Sequence, residues 1–256
     1  MTSEQGPKAE GEEPIAVEEQ RASEARRTRM LKLGSIAFFV AIIAVVVVIV
    51  VAGNSSTAGG NAGSLIEIKR VDALLKGIPQ RDLVLGRDSA PVELIEYGDL
   101  QCPVCKEYSE EFLPPVIEKR VRNGEAKIVF RNFTIISQQS IPAGQAAIAA
   151  GAQGRGWNFI ELFYRNQGEE RSGYVTDAFI ESIARGAGVE DMARFNEERR
   201  SQASKEEVTR TREQAEAHNF DGTPSFLVEG PGTKGAEAIP LPQSVGELEA
   251  AIARAR

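Results

Sequence analysis

Residues 92–105 have the sequence VELIEYGDLQCPVC. The first six, residues 92–97, are rich in β-branched and aromatic side chains and predict a short strand. The two cysteines, Cys102 and Cys105, follow at the start of a predicted helix whose apolar residues continue at helical spacing. The stretch therefore predicts a strand that leads into a helix with a C-x-x-C pair in its first turn.

A C-x-x-C pair at the start of a helix has a chemical consequence. The unsatisfied backbone N–H groups and the dipole of the helix favour a negative charge near its first residue. Cysteines in such motifs titrate at roughly 3.5 to 7.5 instead of about 8.5, so the reactive thiolate is available at neutral pH. We expect Cys102 to be the exposed nucleophile and Cys105, one turn deeper, to resolve the mixed disulfide.

The motif by itself leaves two other interpretations open. Half of a zinc site would need further ligands, and the sequence holds only these two cysteines and one distant histidine, His218. The pair could also be an inert local disulfide. The surrounding sequence is needed to choose between them.

The elements after the motif predict an α/β domain. Residues 127–133 alternate apolar and polar side chains as a strand does, and Pro114-Pro115 should kink or interrupt the preceding helix. Later segments predict four helices, a two-stranded hairpin and a closing helix, at residues 143–153, 157–166, 176–185, 205–217, 225–228, 236–239 and 244–254. The spacing of four aromatic residues suits one helix face in the core of this region: Trp157, Phe159, Phe163 and Tyr164. The order predicts one sheet covered by helices on both faces.

The N-terminal part of the chain predicts a membrane anchor. Residues 33–52 carry no charge over about 20 residues, the length that a helix needs to cross roughly 30 Å of hydrocarbon. Residues 1–32 are polar and predict a disordered tail, and residues 53–64 (GNSSTAGGNAGS) predict a flexible linker. The folded domain is then expected over residues 65–256.

The charges beside the apolar segment predict its orientation. Arg26, Arg27, Arg29 and Lys32 precede the segment, whereas no Lys or Arg follows it until Lys69. We expect a cytoplasmic N-terminus, a single pass through the cell membrane and an extracytoplasmic folded domain. A cleaved signal peptide is the alternative, and it would export the domain equally.

The composition excludes other classes of protein. The 256 residues are 42% hydrophobic and 26% charged, which is ordinary for a globular protein. A net charge of -7 and a pI of 5.1 argue against a nucleic-acid binder, because such a protein needs a basic surface to neutralise phosphates. Two cysteines so close together do not form a disulfide-stapled scaffold, which needs several well-separated pairs.

Three segments together resemble the DsbA-like branch of the thioredoxin superfamily. They are LGRDSAP at residues 85–91, VELIEYGDLQCPVC, and GTPSF at residues 222–226. The resemblance covers nearly all of residues 65–256. It implies an α/β thioredoxin fold with an inserted helical subdomain at about residues 140–217, preceded in this chain by the single transmembrane helix. It also implies that Cys102 is the nucleophile and Cys105 its buried partner.

The resemblance implies a substrate-binding surface around the cysteines. Thr223 and Pro224 resemble the family's cis-proline loop, which packs beside the active cysteines and offers backbone groups to an extended peptide. Pro103 and Val104, between the two cysteines, are expected on the same surface.

A catalytic carboxylate is implied as well. Glu96 resembles the acidic position that family members place beneath the active site to handle the proton of the resolving thiol, and burial can hold a carboxyl near neutral pH for that task. Strand side chains alternate, so Glu93 and Glu96 face opposite sides and only one can point inward. We expect Glu96 to be the inward residue, the alternative being that both are solvated.

Motif and resemblance together predict a protein thiol-disulfide oxidoreductase that acts on exported proteins, with oxidation favoured outside the cytoplasm. No metal or organic cofactor is implied, and family analogy suggests a quinone-linked membrane oxidase as redox partner. The DsbA prototype has a histidine inside its C-x-x-C, whereas Pro103-Val104 supplies no imidazolium. A membrane-tethered reductase or isomerase is therefore one rival function, and a non-catalytic peptide-binding or chaperone-like module is another.

Overall fold

The computed structural model describes residues 65–256. Its helices and strands, in chain order, are α1 (Ile68–Leu75), β1 (Gln80–Arg81), β2 (Val84–Leu85), β3 (Val92–Gly98), α2 (Pro103–Glu107), a π-helical segment π1 (Tyr108–Phe112), α3 (Leu113–Val116), a second π-helical segment π2 (Ile117–Val121), β4 (Ala126–Asn132), α4 (Ser140–Gly151), α5 (Gly156–Arg165), α6 (Asp177–Gly186), α7 (Met192–Glu198), α8 (Gln202–Ala217), β5 (Ser225–Glu229), β6 (Glu237–Ile239) and α9 (Val245–Ala255).

The six strands form one mixed sheet in the order β1-β2-β4-β3-β5-β6. Strand β3 pairs parallel with β4 and antiparallel with β5, so it lies in the middle of the sheet. In this register Glu96 lies between Phe130 and Phe226. The strand that leads into the C-x-x-C pair is thus enclosed by its two neighbours.

The helix that begins after Cys102 runs without a break from Pro103 to Val121. The predicted interruption at Pro114-Pro115 takes the form of π-helical segments on either side of α3. A proline has no backbone N–H and cannot complete an ordinary helical turn, and the Leu113 N–H instead donates to Tyr108 O, one residue further back than in an α-helix. The helix therefore continues past both prolines.

Both faces of the sheet are covered, as the α/β prediction required. The main core lies on the face packed by α1, the cysteine-bearing helix, α5 and α9. The opposite face is a smaller cluster, closed in part by Ala215 of α8: Ile95, Tyr97, Val129, Phe133, Ala215 and Leu227. Five helices, α4 to α8, lie between β4 and β5.

Helix α5 is buried on all sides, and not only on the face predicted from the spacing of its aromatic residues. Its four aromatic side chains are buried as predicted, but the other six residues of the helix, including Glu161 and Arg165, are buried too. The helix therefore has no solvent-facing side, because it is packed among the sheet, the cysteine-bearing helix and its neighbouring helices. Four elements were not predicted from the sequence: α1, the short strands β1 and β2, and α7.

No helix within residues 65–256 combines the length and apolar character needed to cross a membrane. The predicted tail, transmembrane segment and linker at residues 1–32, 33–52 and 53–64 lie outside the described residues.

Candidate functional site

Cys102 is the N-cap residue of α2. Its Sγ accepts a hydrogen bond from the backbone N–H of Cys105 at 3.4 Å. Pro103 occupies the first helical position, where its missing N–H costs nothing. The sulfur of Cys102 thus lies at the positive end of the helix, with free backbone donors beside it.

This position favours the thiolate form of Cys102. Its pKa is lowered from 9.0 to about 6, mainly because the thiol of Cys105 donates a hydrogen bond to it. The side chain of Thr223 and the backbone N–H groups of Cys105 and Val104 lower the pKa of Cys102 further, while burial opposes them. Most Cys102 thiols are consequently ionised at pH 7.

Cys105 has the opposite character. Its side chain is fully buried, and burial raises its pKa well above 9.0. The neighbouring Cys102 and the charge of Glu96 raise that pKa further. One cysteine is therefore a ready nucleophile and leaving group, and the other holds its proton tightly.

The loop before β5 covers the sulfur of Cys102. The Thr223-Pro224 peptide bond is cis, and the thiol of Cys102 donates to the carbonyl oxygen of Thr223 at 3.2 Å. The expectation of an exposed Cys102 is wrong, because this contact and the first turn of α2 leave only 4% of the residue accessible. The surface next to it is open, since Pro103 is exposed and Val104 is 40% exposed.

The two carboxylates of β3 face opposite sides of the sheet. Glu93 is partly exposed and pairs with Lys127 at 3.0 Å, whereas Glu96 is 1% exposed. Burial raises the pKa of Glu96 to about 8, with further contributions from the charges of Glu161 and Cys102. The structure therefore places Glu96 on the inner side, with a carboxyl that is mostly protonated at pH 7.

Sequence reasoning missed a second acidic residue beside the motif. Asp99 is buried, and its carboxylate accepts hydrogen bonds from the backbone N–H groups of Gln101, Ile135 and Ile136 at 2.8 to 2.9 Å. These bonds connect the loop after β4 to the residues directly before the C-x-x-C pair. Its place at the end of a strand, directly before the motif, was the available signal.

Gln167, in the helical region, was not predicted either. Its side chain holds the backbone at and just before Cys102. Its side-chain amide donates to the carbonyl oxygens of Leu100 at 2.8 Å and Cys102 at 3.1 Å. These contacts join residues more than sixty positions apart in sequence, so no local pattern indicates them. Gln167 and Asp99 together hold the backbone of the reactive cysteine in place.

The site is a dithiol. Both cysteines are present as free thiols. Among residues 65–256, no group of three or more His, Cys, Asp and Glu side chains is placed to hold a metal ion. Fold and site together define a protein of the thioredoxin class with a reactive cysteine pair at the start of a helix.

Comparisons with known proteins agree with this class. A family model described as thioredoxin matches residues 79–250. The probable disulfide bond formation protein D of Bacillus cereus is 30% identical over 149 residues, which are 57% of this chain and 69% of that protein. The solved structure of oxidised BdbD from Bacillus subtilis matches with a TM-score of 0.60 at 21% identity, covering 69% of this chain and 96% of that one. Alpha-DsbA1 from Wolbachia pipientis gives 0.58 at 18% identity, covering 72% and 95%.

The chain therefore belongs to the thioredoxin family and is a protein thiol-disulfide oxidoreductase.

Proposed function

We propose that this protein exchanges disulfides with the thiols of exported proteins through Cys102 and Cys105, and that oxidation of the substrate is the favoured direction. The observation that carries the proposal is the contrast between the two thiols. The pKa of Cys102 is lowered to about 6, whereas that of the buried Cys105 is raised.

The exchange proceeds in two steps. A substrate thiolate attacks Cys102 Sγ in the Cys102–Cys105 disulfide, which forms a mixed disulfide and releases Cys105 as a thiolate that takes a proton. A second substrate thiolate then attacks the substrate sulfur of the mixed disulfide and releases Cys102 as a thiolate. The substrate dithiol loses two electrons and becomes a disulfide, and the enzyme gains them as a dithiol.

The lowered pKa of Cys102 supports the oxidising direction. Every contact that stabilises the thiolate stabilises the reduced enzyme, and so makes its disulfide a stronger oxidant. Four such contacts come from Cys105, Thr223 and the backbone of the first turn, and they operate without a histidine inside the motif. The Bacillus cereus relative is named for disulfide bond formation, which agrees with this direction.

Glu96 is the proposed proton donor for Cys105. Its carboxyl is buried and mostly protonated at pH 7, since its pKa is raised to about 8. A buried thiolate without a proton is costly, because no water solvates its charge. A proton delivered by Glu96 removes that cost when Cys105 leaves the disulfide.

Substrate peptides are proposed to bind beside the Thr223-Pro224 loop. An extended chain there can pair with backbone groups of the loop, and the exposed Pro103 and Val104 supply apolar contact on the other side of Cys102. Because only 4% of Cys102 is accessible, the peptide must lie along this surface to bring its sulfur into line.

The proposed setting is the outer side of a cell membrane. Residues 33–52 would anchor the chain with its N-terminus in the cytoplasm, residues 1–32 would form a cytoplasmic tail, and residues 53–64 a linker to the domain at 65–256. Reoxidation of the dithiol requires an electron acceptor, for which we propose a quinone-linked membrane oxidase. Disulfides persist in such compartments.

The rival function is a membrane-tethered reductase or isomerase, favoured by the absence of a charged residue between the cysteines. The reduction potential of residues 65–256 distinguishes the two. A value near roughly −120 mV supports the oxidant, and one near roughly −270 mV supports the reductase.

The assignment of the cysteines is tested by exchange with a dithiol peptide. Cys102→Ser should abolish exchange, whereas Cys105→Ser should trap mixed disulfides at Cys102. Retained exchange in Cys102→Ser would contradict the proposal. If a variant with both cysteines replaced by serine keeps its cellular role, the non-catalytic peptide-binding module is correct instead.

A further inference from the structure

A second buried carboxylate lies close to the active site and has no part in the exchange described above. Glu161 is on α5, a helix that packs against π1 and α2 of the cysteine-bearing helix. Its side chain is fully buried. Tyr164, one turn after Glu161 on the same helix, donates to the backbone carbonyl of Asp99 at 3.3 Å, which joins α5 to the end of the strand that carries Glu96. The charge of Glu161 raises the pKa of Glu96.

Glu161 is held by Arg165, one turn further along the same helix. The guanidinium of Arg165 forms an ion pair with Glu161 and also donates to its backbone carbonyl at 3.1 Å. Arg165 is itself buried, and its Nε reaches Glu67 at 3.2 Å near the surface. A row of charges thus runs from the partly exposed Glu67 through Arg165 to the buried Glu161.

Stability alone does not account for this arrangement. Removing two charges from water costs several kcal/mol for each ion, and well-packed apolar residues often replace a buried ion pair without loss. Within residues 65–256, one carboxylate oxygen of Glu161 and one of Glu96 are buried and make no hydrogen bond. Both carboxyl groups therefore lack part of their hydrogen bonding and are buried away from water. In such a low-dielectric site a charge on one carboxyl strongly raises the pKa of the other.

We propose that Glu161 is a positioning residue for the proton of Glu96: its carboxylate, ion-paired with Arg165, makes a second buried negative charge on Glu96 unfavourable and so keeps Glu96 protonated for Cys105. This inference rests on the proposed roles of Glu96 and the two cysteines. It gives the buried Glu161–Arg165 ion pair a function in proton transfer from Glu96 to Cys105.

The charges around this pair are consistent with that role. Burial raises the pKa of Glu161, and Arg165 opposes this rise most strongly. The charge of Glu110 raises the pKa of Glu161 further. The titratable and charged groups that interact with the two carboxyls are Arg165, Glu110, Cys102, Cys105, Tyr108 and Tyr164, and Glu67 pairs with Arg165. Arg165 is the one cation among them.

When a substrate thiolate opens the disulfide at Cys102, Cys105 leaves as a thiolate, accepts the proton of Glu96 and becomes a thiol. Glu96 is then an anion next to the carboxylate of Glu161. The repulsion between the two drives Glu96 to take a new proton from solvent before the next turnover.

The test follows the protonation of Glu96 itself and does not depend on activity. The carboxyl C=O infrared band of Glu96, identified by its loss in Glu96→Gln, is titrated with pH in the intact protein. In Glu161→Gln we expect the midpoint to fall by about one pH unit or more, since a neighbouring like charge has been removed. Glu161→Asp keeps a carboxylate and should restore most of the shift, and Glu93→Gln, on the same strand but the other face, should leave it unchanged.

A kinetic readout complements the titration. The pH profile for release of Cys105 from the disulfide should shift down with Glu161→Gln, and the same change should have no effect on the profile in a Glu96→Gln background. An unchanged Glu96 midpoint in a folded Glu161→Gln protein would overturn the inference. It would not affect the proposed function, which is tested separately by disulfide exchange in the wild type and by the loss of exchange in Cys102→Ser.

If Glu161→Gln does not fold because Arg165 is left uncompensated, Glu161→Gln with Arg165→Gln removes both charges together and keeps polar side chains at both positions. Because the rise in the pKa of Glu96 comes from burial, Glu161 and Cys102, this paired variant should still lower the midpoint. An unchanged midpoint there overturns the inference equally.

Discussion

The thiol of Cys102 lies 3.2 Å from the carbonyl oxygen of Thr223, a residue 121 positions further along the chain. The side chain of the same threonine lowers the pKa of Cys102. The loop before β5 thus covers the sulfur with a carbonyl that accepts a hydrogen bond from the thiol form only, whereas the Thr223 side chain favours the thiolate. The properties of the reactive cysteine consequently depend on contacts from both ends of the domain.

The first prediction concerns the origin of the low pKa of Cys102. Thr223→Val removes the hydroxyl with little change in shape and should raise the pKa from about 6, and Cys105→Ala should raise it more, because the Cys105 thiol is the largest cause of the shift. The pH dependence of Cys102 alkylation measures both. Thr176→Val, which removes an N-cap hydroxyl on α6, serves as control and should leave this pKa unchanged. A larger rise in Thr223→Val than in Cys105→Ala would contradict the assignment.

The second prediction concerns stability and pH. The pKa of Glu96 is raised from 4.5 to about 8 in the folded protein, so the folded state holds a proton that the unfolded chain releases. The stability from this group is complete below pH 4.5 and is lost as the pH rises towards 8, by about 5 kcal/mol in total. The unfolding free energy of wild type relative to Glu96→Gln should therefore fall between pH 5 and pH 8 in urea titrations.

Cys102 acts in the opposite direction between pH 6 and 9, because its folded pKa is lowered. The comparison with Glu96→Gln cancels most of that effect, since both proteins keep Cys102. The same comparison with Glu93→Gln should show little pH dependence. A constant difference between wild type and Glu96→Gln would show that Glu96 is ionised when folded.

The third prediction concerns the clamp formed by Gln167. Gln167→Ala leaves the carbonyl of Leu100 without its amide donor and weakens the fixing of Cys102, so unfolding should become easier by about 1 to 2 kcal/mol. Thermal or urea denaturation measures this loss. Gln243→Ala removes a similar amide-to-carbonyl bond at an exposed position and should change stability much less. Equal losses in the two variants would refute the proposed importance of the clamp.

The fourth prediction concerns the residues between the cysteines. Val104 is 40% exposed, so Val104→His can be accommodated and would place an imidazole close to the sulfur of Cys102. An imidazolium there should lower the pKa of Cys102 below about 6 and make the disulfide more oxidising, by about 30 mV for each 1.4 kcal/mol of thiolate stabilisation. Equilibration with glutathione measures the potential, and Val104→Gln is the uncharged control. A potential that does not rise would show that backbone and Thr223 contacts already saturate the stabilisation.

Local patterns in the sequence determined the order of most helices and strands and the location of the cysteine pair. The strand at β3, the helix that follows it and most of the later helices depend on periodicity over a few residues, which is present in any single chain. The alternation along β3 also determined that Glu93 and Glu96 face opposite sides, and the structure confirms that Glu96 is the inner one. The bounds of these elements moved by only a few residues.

Only the tertiary structure decided the chemical state of the site. The covering of Cys102 by the loop at Thr223 and the clamp by Gln167 join positions far apart in sequence, and periodicity carries no record of such contacts. The short strands β1 and β2 exist only through pairing, with each other and with β4. Glu161 and Arg165 are polar residues that a pattern places at the surface, but α5 is enclosed on every side. The energy of a buried charge depends on what surrounds it in three dimensions, so the proton affinities at this site followed from the fold and not from the motif.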